Sequence, residues 1–151
     1  MARGWSEDRQ AFRQSYDNEN LDASALLIPI VGFLPVDQPR VTATVERIIA
    51  ELTIDGFVHR YIPTPEEPPL GQYEGAFLPC TFWLATVLGM AGRNAEAEAI
   101  LSRAEAIAGE LGLFAEEVDA RSRSFLGNTP LLFSHAEYVR AVMANGEPAS
   151  R

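Results

Sequence analysis

The run AFLPCTFWLATVLGM, Ala76 to Met90, constrains the fold more than any other stretch of this chain. It carries no charge and is apolar on nearly every side, so as a helix it offers no face that water would favour. Such a helix belongs in the interior, where neighbouring elements supply apolar stripes to cover it.

The rest of the chain supplies those neighbours. LDASALLIPIVGF, Leu21 to Phe33, is a second apolar run, with Asn20 or Asp22 to cap it, Pro29 to kink it and Gly32 with Pro35 to stop it. Asp37 and Pro39 suit a helix start, and Val41, Val45, Ile48, Ile49 and Leu52 then recur at three- and four-residue steps. After the tight AGRN turn, Ile100, Leu101, Ala104, Ile107, Ala108 and Leu111 form a stripe opposite the glutamates, with Gly112 placed as a C-terminal cap. SHAE, Ser134 to Glu137, has the spacing of a capping box and opens a last helix through Val139, Val142 and Met143. Strand alternation is poor throughout. The expectation is a single all-α domain over residues 1–151, built from antiparallel helical hairpins.

Composition excludes several roles. The formal charge of −9 disfavours nucleic acid and anionic membrane, because binding phosphate needs a basic surface. All 12 cations are arginines, and they are scattered. Cys80 has no partner for an intramolecular disulfide, and nothing near it has zinc-ligand spacing, so no metal or cofactor is expected. MARGWSEDRQ lacks an apolar core after its arginine, and no segment offers a membrane span. A cytoplasmic location is the expectation.

Helical period is lost twice, from Thr53 to Gly75 and from Gly112 to Phe133, and loops this long in a compact domain are usually functional. Antiparallel helices in series put alternate connections at opposite ends. The polar lead-in before Leu21 and the two long loops should therefore share one end, and the short turns Gly32–Gln38 and Gly89–Asn94 the other. The loop-bearing end collects Arg13, Tyr16, Asp17, Arg60, Tyr61, Glu74, Glu116 and Glu117. Carboxylates, arginines and aromatic rings on a helical scaffold suit a sugar, since rings stack on its apolar faces and charged groups bond its hydroxyls. Glycoside hydrolysis needs two carboxyl groups on opposite sides of the scissile bond, about 6.5–9.5 Å apart for inversion and about 5–5.5 Å for retention. Adjacent residues such as Glu116 and Glu117 rarely point the same way, so at most one of them is catalytic.

LDASALLIPIVGFLP, HRY, EGAFLPCTFWL, GLFAEEVD and LGNTPLLFSH, in this order, resemble the C-terminal part of bacterial members of glycoside hydrolase family 15, the glucoamylase, glucodextranase and trehalase-like enzymes. The likeness runs from about Trp5 to Val142. It implies that the hairpins form part of an (α/α)6 toroid, and that the family's inverting hydrolysis of α-glucosidic bonds is the relevant chemistry. It places the general base at Glu116 and sugar contacts at Arg60 and Tyr61, with Glu74 at the rim and Glu117 beside the base. Where bacterial members read LGNFPQAFSH, this chain has Thr129 and Leu131. The general acid of the family lies upstream of the matching region. One carboxylate cannot serve as both acid and base in the inverting geometry, so the chain is expected to be inactive alone.

The expected ligand is an α-glucoside or oligosaccharide. The expected partner is a second copy of the chain or a complementing N-terminal half, which would cover the apolar Ala76–Met90 helix that a partial toroid exposes. A competing reading takes the hairpin from Phe82 to Gly112 as tetratricopeptide-like, hence a protein-interaction module, although no second copy follows at the repeat period. A degenerate sugar-binding protein lies between the two. His59, His135, Cys80, Phe82 and Trp83 read as structural, with His135 able to bond the preceding loop.

Overall fold

The computed structural model describes residues 2–61 and 74–146. A 3-10 turn (Ala2–Gly4) and the strands β1 (Trp5–Ser6) and β2 (Ala11–Phe12) precede a second 3-10 turn (Ala23–Leu26), which runs into α1 (Leu27–Ile30). There follow α2 (Pro39–Leu52), β3 (Thr53–Ile54), β4 (Phe57–Val58), β5 (Ala76–Phe77), α3 (Leu78–Met90), α4 (Asn94–Ala108), β6 (Glu117–Val118), β7 (Phe125–Leu126) and α5 (Leu132–Gly146).

The apolar run occupies the centre, as its composition requires. Every residue of α3 from Leu78 to Gly89 is buried. The second 3-10 turn, α1, α4 and α5 all pack against it, with β4 and β5 near its first turn. Its cover is therefore intramolecular, and the expectation that Ala76–Met90 needs another molecule to bury it is overturned. Helix α5 runs in the same direction as α3: Phe82 meets Tyr138 with ring centroids 5.5 Å apart, and Gly89 lies against Ala144 and Asn145. A Cβ on Gly89 would stand 3.0 Å from the Ala144 carbonyl, so glycine lets the two backbones approach there.

Local chemistry sets the ends. Asp22 caps the second 3-10 turn, its Oδ1 accepting from the Ser24 N–H at 2.8 Å. Helix α2 is capped by Gln38, which accepts from Arg40 and Val41 with Pro39 at the first position. Helix α4 stops at Gly109, at φ +64°, three residues before the expected Gly112, and Leu111 is left outside the helix and exposed. The apolar stripe ran on past the first glycine able to take the left-handed conformation, and the glycine decided the end.

Two expectations need correction. The fold is helical in its main elements but not all-α, because among the described residues seven strands of two residues each tie its loops together. Strands that short leave no alternation to read in a sequence. Ser134 does not cap α5, which starts at Leu132; its hydroxyl lies inside the first turn and donates to the Ala115 carbonyl at 2.6 Å. Among the described residues no helix is long and apolar enough to cross a membrane.

Candidate active site

The long loop after α4 is stitched onto the start of α3. Strand β6 pairs with β5, placing Val118 opposite Ala76 and Glu117 opposite Phe77, and on its other edge with β7. The Leu78 N–H then donates to the Glu116 carbonyl at 3.0 Å, which satisfies an otherwise orphaned donor in the first turn of α3. Glu116 is thus held directly over that turn.

Its side chain is held by the turn that follows β7. Glu116 Oε2 accepts from Asn128 Nδ2 at 2.8 Å and from the Asn128 backbone N–H at 3.1 Å, and the Glu116 N–H donates back to the Asn128 carbonyl. Gly127 makes this possible: at φ +69° a Cβ there would stand 2.9 Å from Glu116 Oε2. Glu117 is held elsewhere, its Oε2 accepting from the Gly75 N–H at 3.0 Å. The two neighbouring carboxylates therefore serve different partners. Burial pushes the Glu117 carboxyl above its ordinary value; the Gly75 N–H opposes this, and the charges of Glu74 and Glu116 add to it. All three glutamates thus share one electrostatic neighbourhood, with Glu74 exposed at its edge.

Arg60 and Tyr61 follow β4, which packs on the first turn of α3. The Arg60 carbonyl accepts from the Ala23 N–H at 2.7 Å, and Tyr61 pairs with Asp22 in an antiparallel bridge. The Val58 N–H donates to Thr81 Oγ1 on α3 at 3.0 Å. The buried Cys80 thiol is pushed up by burial, with Asp22 adding and the Arg60 charge opposing, so Arg60 lies within electrostatic reach of α3. Strand β4, which leads into Arg60, and the Glu116 loop both bond to the N-terminal end of α3.

The lead-in residues are engaged otherwise. Arg13 donates to the Trp5 carbonyl and pairs with Glu19, Tyr16 lies beneath the Arg3 guanidinium at 4.9 Å, and Asp17 is exposed. Arg13 also lines a hollow of about 270 Å³ with Asp22, Ser24 and Phe12. The PTPEEPP segment lies outside the described residues.

The two histidines sit in different surroundings. His59 is buried, its Nε2 has no hydrogen-bond partner among the described residues, and burial lowers its pKa against the opposing charge of Asp119. His135 Nε2 accepts from the Phe114 N–H at 3.1 Å. With the Ser134 bond to Ala115 and the Leu131 N–H bond to the Phe114 carbonyl, this fastens residues 114 and 115 to the first turn of α5. Sequence reasoning missed Asn128 and Gly127 as the holders of Glu116, although the Gly-Asn pair is a turn signal. It also missed Gly75, whose absent side chain lets β5 lie against Val118. Among the described residues no group of acidic, histidine or cysteine side chains could hold a metal.

Comparison with known proteins places this geometry. A wild-type glycosidase of known structure superposes with a TM-score of 0.78, and a variant glycosidase in complex with glucose with 0.79, each at 23% identity over 96% of this chain and 40% of its own. At that identity the likeness shows the fold. The trehalase of Mycobacterium tuberculosis is 42% identical over 91% of this chain, and that of Mycolicibacterium smegmatis 40% identical over 95%. The trehalase of Thermoplasma acidophilum is 38% identical over 93%. The chain spans only 20%, 21% and 24% of these three relatives. The profile described as Glycosyl hydrolases family 15 matches residues 1–143, and the chain belongs to that family.

Proposed function

We propose that this chain carries the general-base side of an inverting α-glucoside hydrolase site, with Glu116 as the base. The observation that carries the reading is the fixed Glu116 carboxylate, with Asn128 donating twice to one oxygen. Two donors on one oxygen fix where the carboxylate stands, and a positioned carboxylate is what general-base activation of a water requires. Arg60 and Tyr61 would contact the bound sugar from the facing strand, with Glu74 at the rim. Glu117 is given a contact or orienting role beside the base: its link to Gly75 ties the strand after Glu74 to the base loop. The general acid would come from outside this chain, since inversion needs a second carboxyl group across the scissile bond. The names of the relatives make trehalose the first substrate to try, ahead of maltose and aryl α-glucosides.

The test is turnover of these substrates by the purified chain. No turnover is expected. Clear hydrolysis abolished by Glu116→Gln would overturn the half-site reading, and hydrolysis indifferent to that change would overturn the assignment of the base. The competing interaction-module reading loses ground on one observation. The α3–α4 hairpin it relies on exists, but the surface of α3 is consumed by contacts within the chain.

A further inference from the structure

A hollow of about 220 Å³ lies where α2, α3 and α4 meet the turn that joins β3 to β4, and none of its lining residues belongs to the candidate active site. Leu84, Leu88 and Ile100, all buried, give it an apolar wall, with Ile49 on the side of α2. Arg103 is the cation among them. Its side chain lies against the β3–β4 turn: a Cβ on Gly56 would stand 2.6 Å from Arg103 Nη1 and 3.0 Å from its Cδ. Glycine at φ +84° gives the turn its shape and leaves the arginine that place.

The carboxylates nearest to Arg103 are committed to other arginines. Asp55, beside Gly56 in the turn, pairs with Arg123 at 3.2 Å. Glu96 also lines the hollow, but its two oxygens accept from Arg93 Nε and Nη2 at 2.7 and 2.8 Å. On α4 itself no acidic residue stands three or four positions from Arg103, where a helix would place an ion-pair partner. Among the described residues Arg103 has no ion pair. An apolar wall beside one uncompensated guanidinium selects a ligand with an apolar body and a single negative charge. Size narrows the choice. An apolar cavity of about 150 Å³ admits a benzene ring, so this hollow has room for one ring and a short acidic arm. We propose that it binds a small apolar monocarboxylate, with the carboxylate on Arg103 and the body against Leu84, Leu88 and Ile100. This site is separate from the glucoside reading of Glu116 and stands or falls without it.

The test is an NMR titration of the intact chain with phenylacetate, and with phenylacetamide as its uncharged counterpart. Phenylacetate is expected to shift the methyl signals of Leu84, Leu88 and Ile100 and the amide of Gly56, and to leave the amides of Gly127 and Asn128 in place. Arg103→Met keeps an apolar stem and removes the charge. It should weaken phenylacetate about tenfold and leave phenylacetamide unchanged, because a charge-assisted bond is what is lost. Ala99→Phe fills the hollow from α4 and should abolish the binding of both. Both substitutions fall at exposed helix positions, which an unstrained helix tolerates. Equal affinity for the acid and the amide overturns the proposal, as does an acid affinity that Arg103→Met leaves intact. Shifts confined to Gly127 and Asn128, or no saturable shift at millimolar phenylacetate, overturn the site itself.

Discussion

Gly127 and Glu117 show how single residues shape the base loop. Gly127→Ala puts a methyl group within 2.9 Å of Glu116 Oε2 at a positive φ. The substitution is expected to destabilise the chain by about 1–3 kcal/mol in urea unfolding and to release the Asn128 contacts. Glu117 gives a pH dependence of definite sign. Burial raises its carboxyl pKa in the folded state, so the group favours folding when protonated and gives up that contribution as pH rises through the folded value. Glu117→Gln should therefore raise the melting temperature at pH 7, and the difference from the parent should shrink as pH falls below the ordinary glutamate range. A difference that grows on acidification would show that the Gly75 bond outweighs the burial. His135 works by position, its Nε2 accepting the Phe114 N–H across the junction between the base loop and α5.

At the scale of elements, what could be read depended on how a helix meets its surroundings. The central helix announced itself because a segment apolar on all sides has one place to go, and α2 because its periodic stripe matches its buried face. Helix α5 was legible as a helix but not in orientation: Val139, Val142 and Met143 are exposed while Ser134, Glu137 and Ala141 face inward, and periodicity alone does not say which stripe is inner. The end of α4 was misplaced by one glycine. The sequence offered Asn20 or Asp22 as a cap, and the structure uses Asp22 on a 3-10 turn; its removal is a clean test, since Asp22→Ala should cost about 1 kcal/mol by chemical denaturation. The bridge to Tyr61 is a backbone pairing and should survive that change.

For the molecule as a whole, connectivity located the polar end but not the means by which it is assembled. Glu74, Glu116 and Glu117 gather at the strand pair that opens α3, while Arg60 and Tyr61 pair with residues 23 and 22. Arg13 bonds within the N-terminal lead-in and also lines a hollow with Asp22 and Ser24. What the sequence withheld was the three-stranded sheet β5–β6–β7, since pairs of two-residue strands distant along the chain have no local signature. That sheet has a mechanical consequence. The tip between β6 and β7 bears Arg121 and Arg123, both exposed, in a turn closed by Asp119. Trypsin should find these bonds, yet a nick there would sever the chain between two strands that remain paired to each other. The fragments should migrate together on a sizing column without denaturant and part only when urea is added. The tip is thus a place where the polypeptide can be cut, or a label or foreign peptide spliced in, without dislodging the carboxylate over the helix.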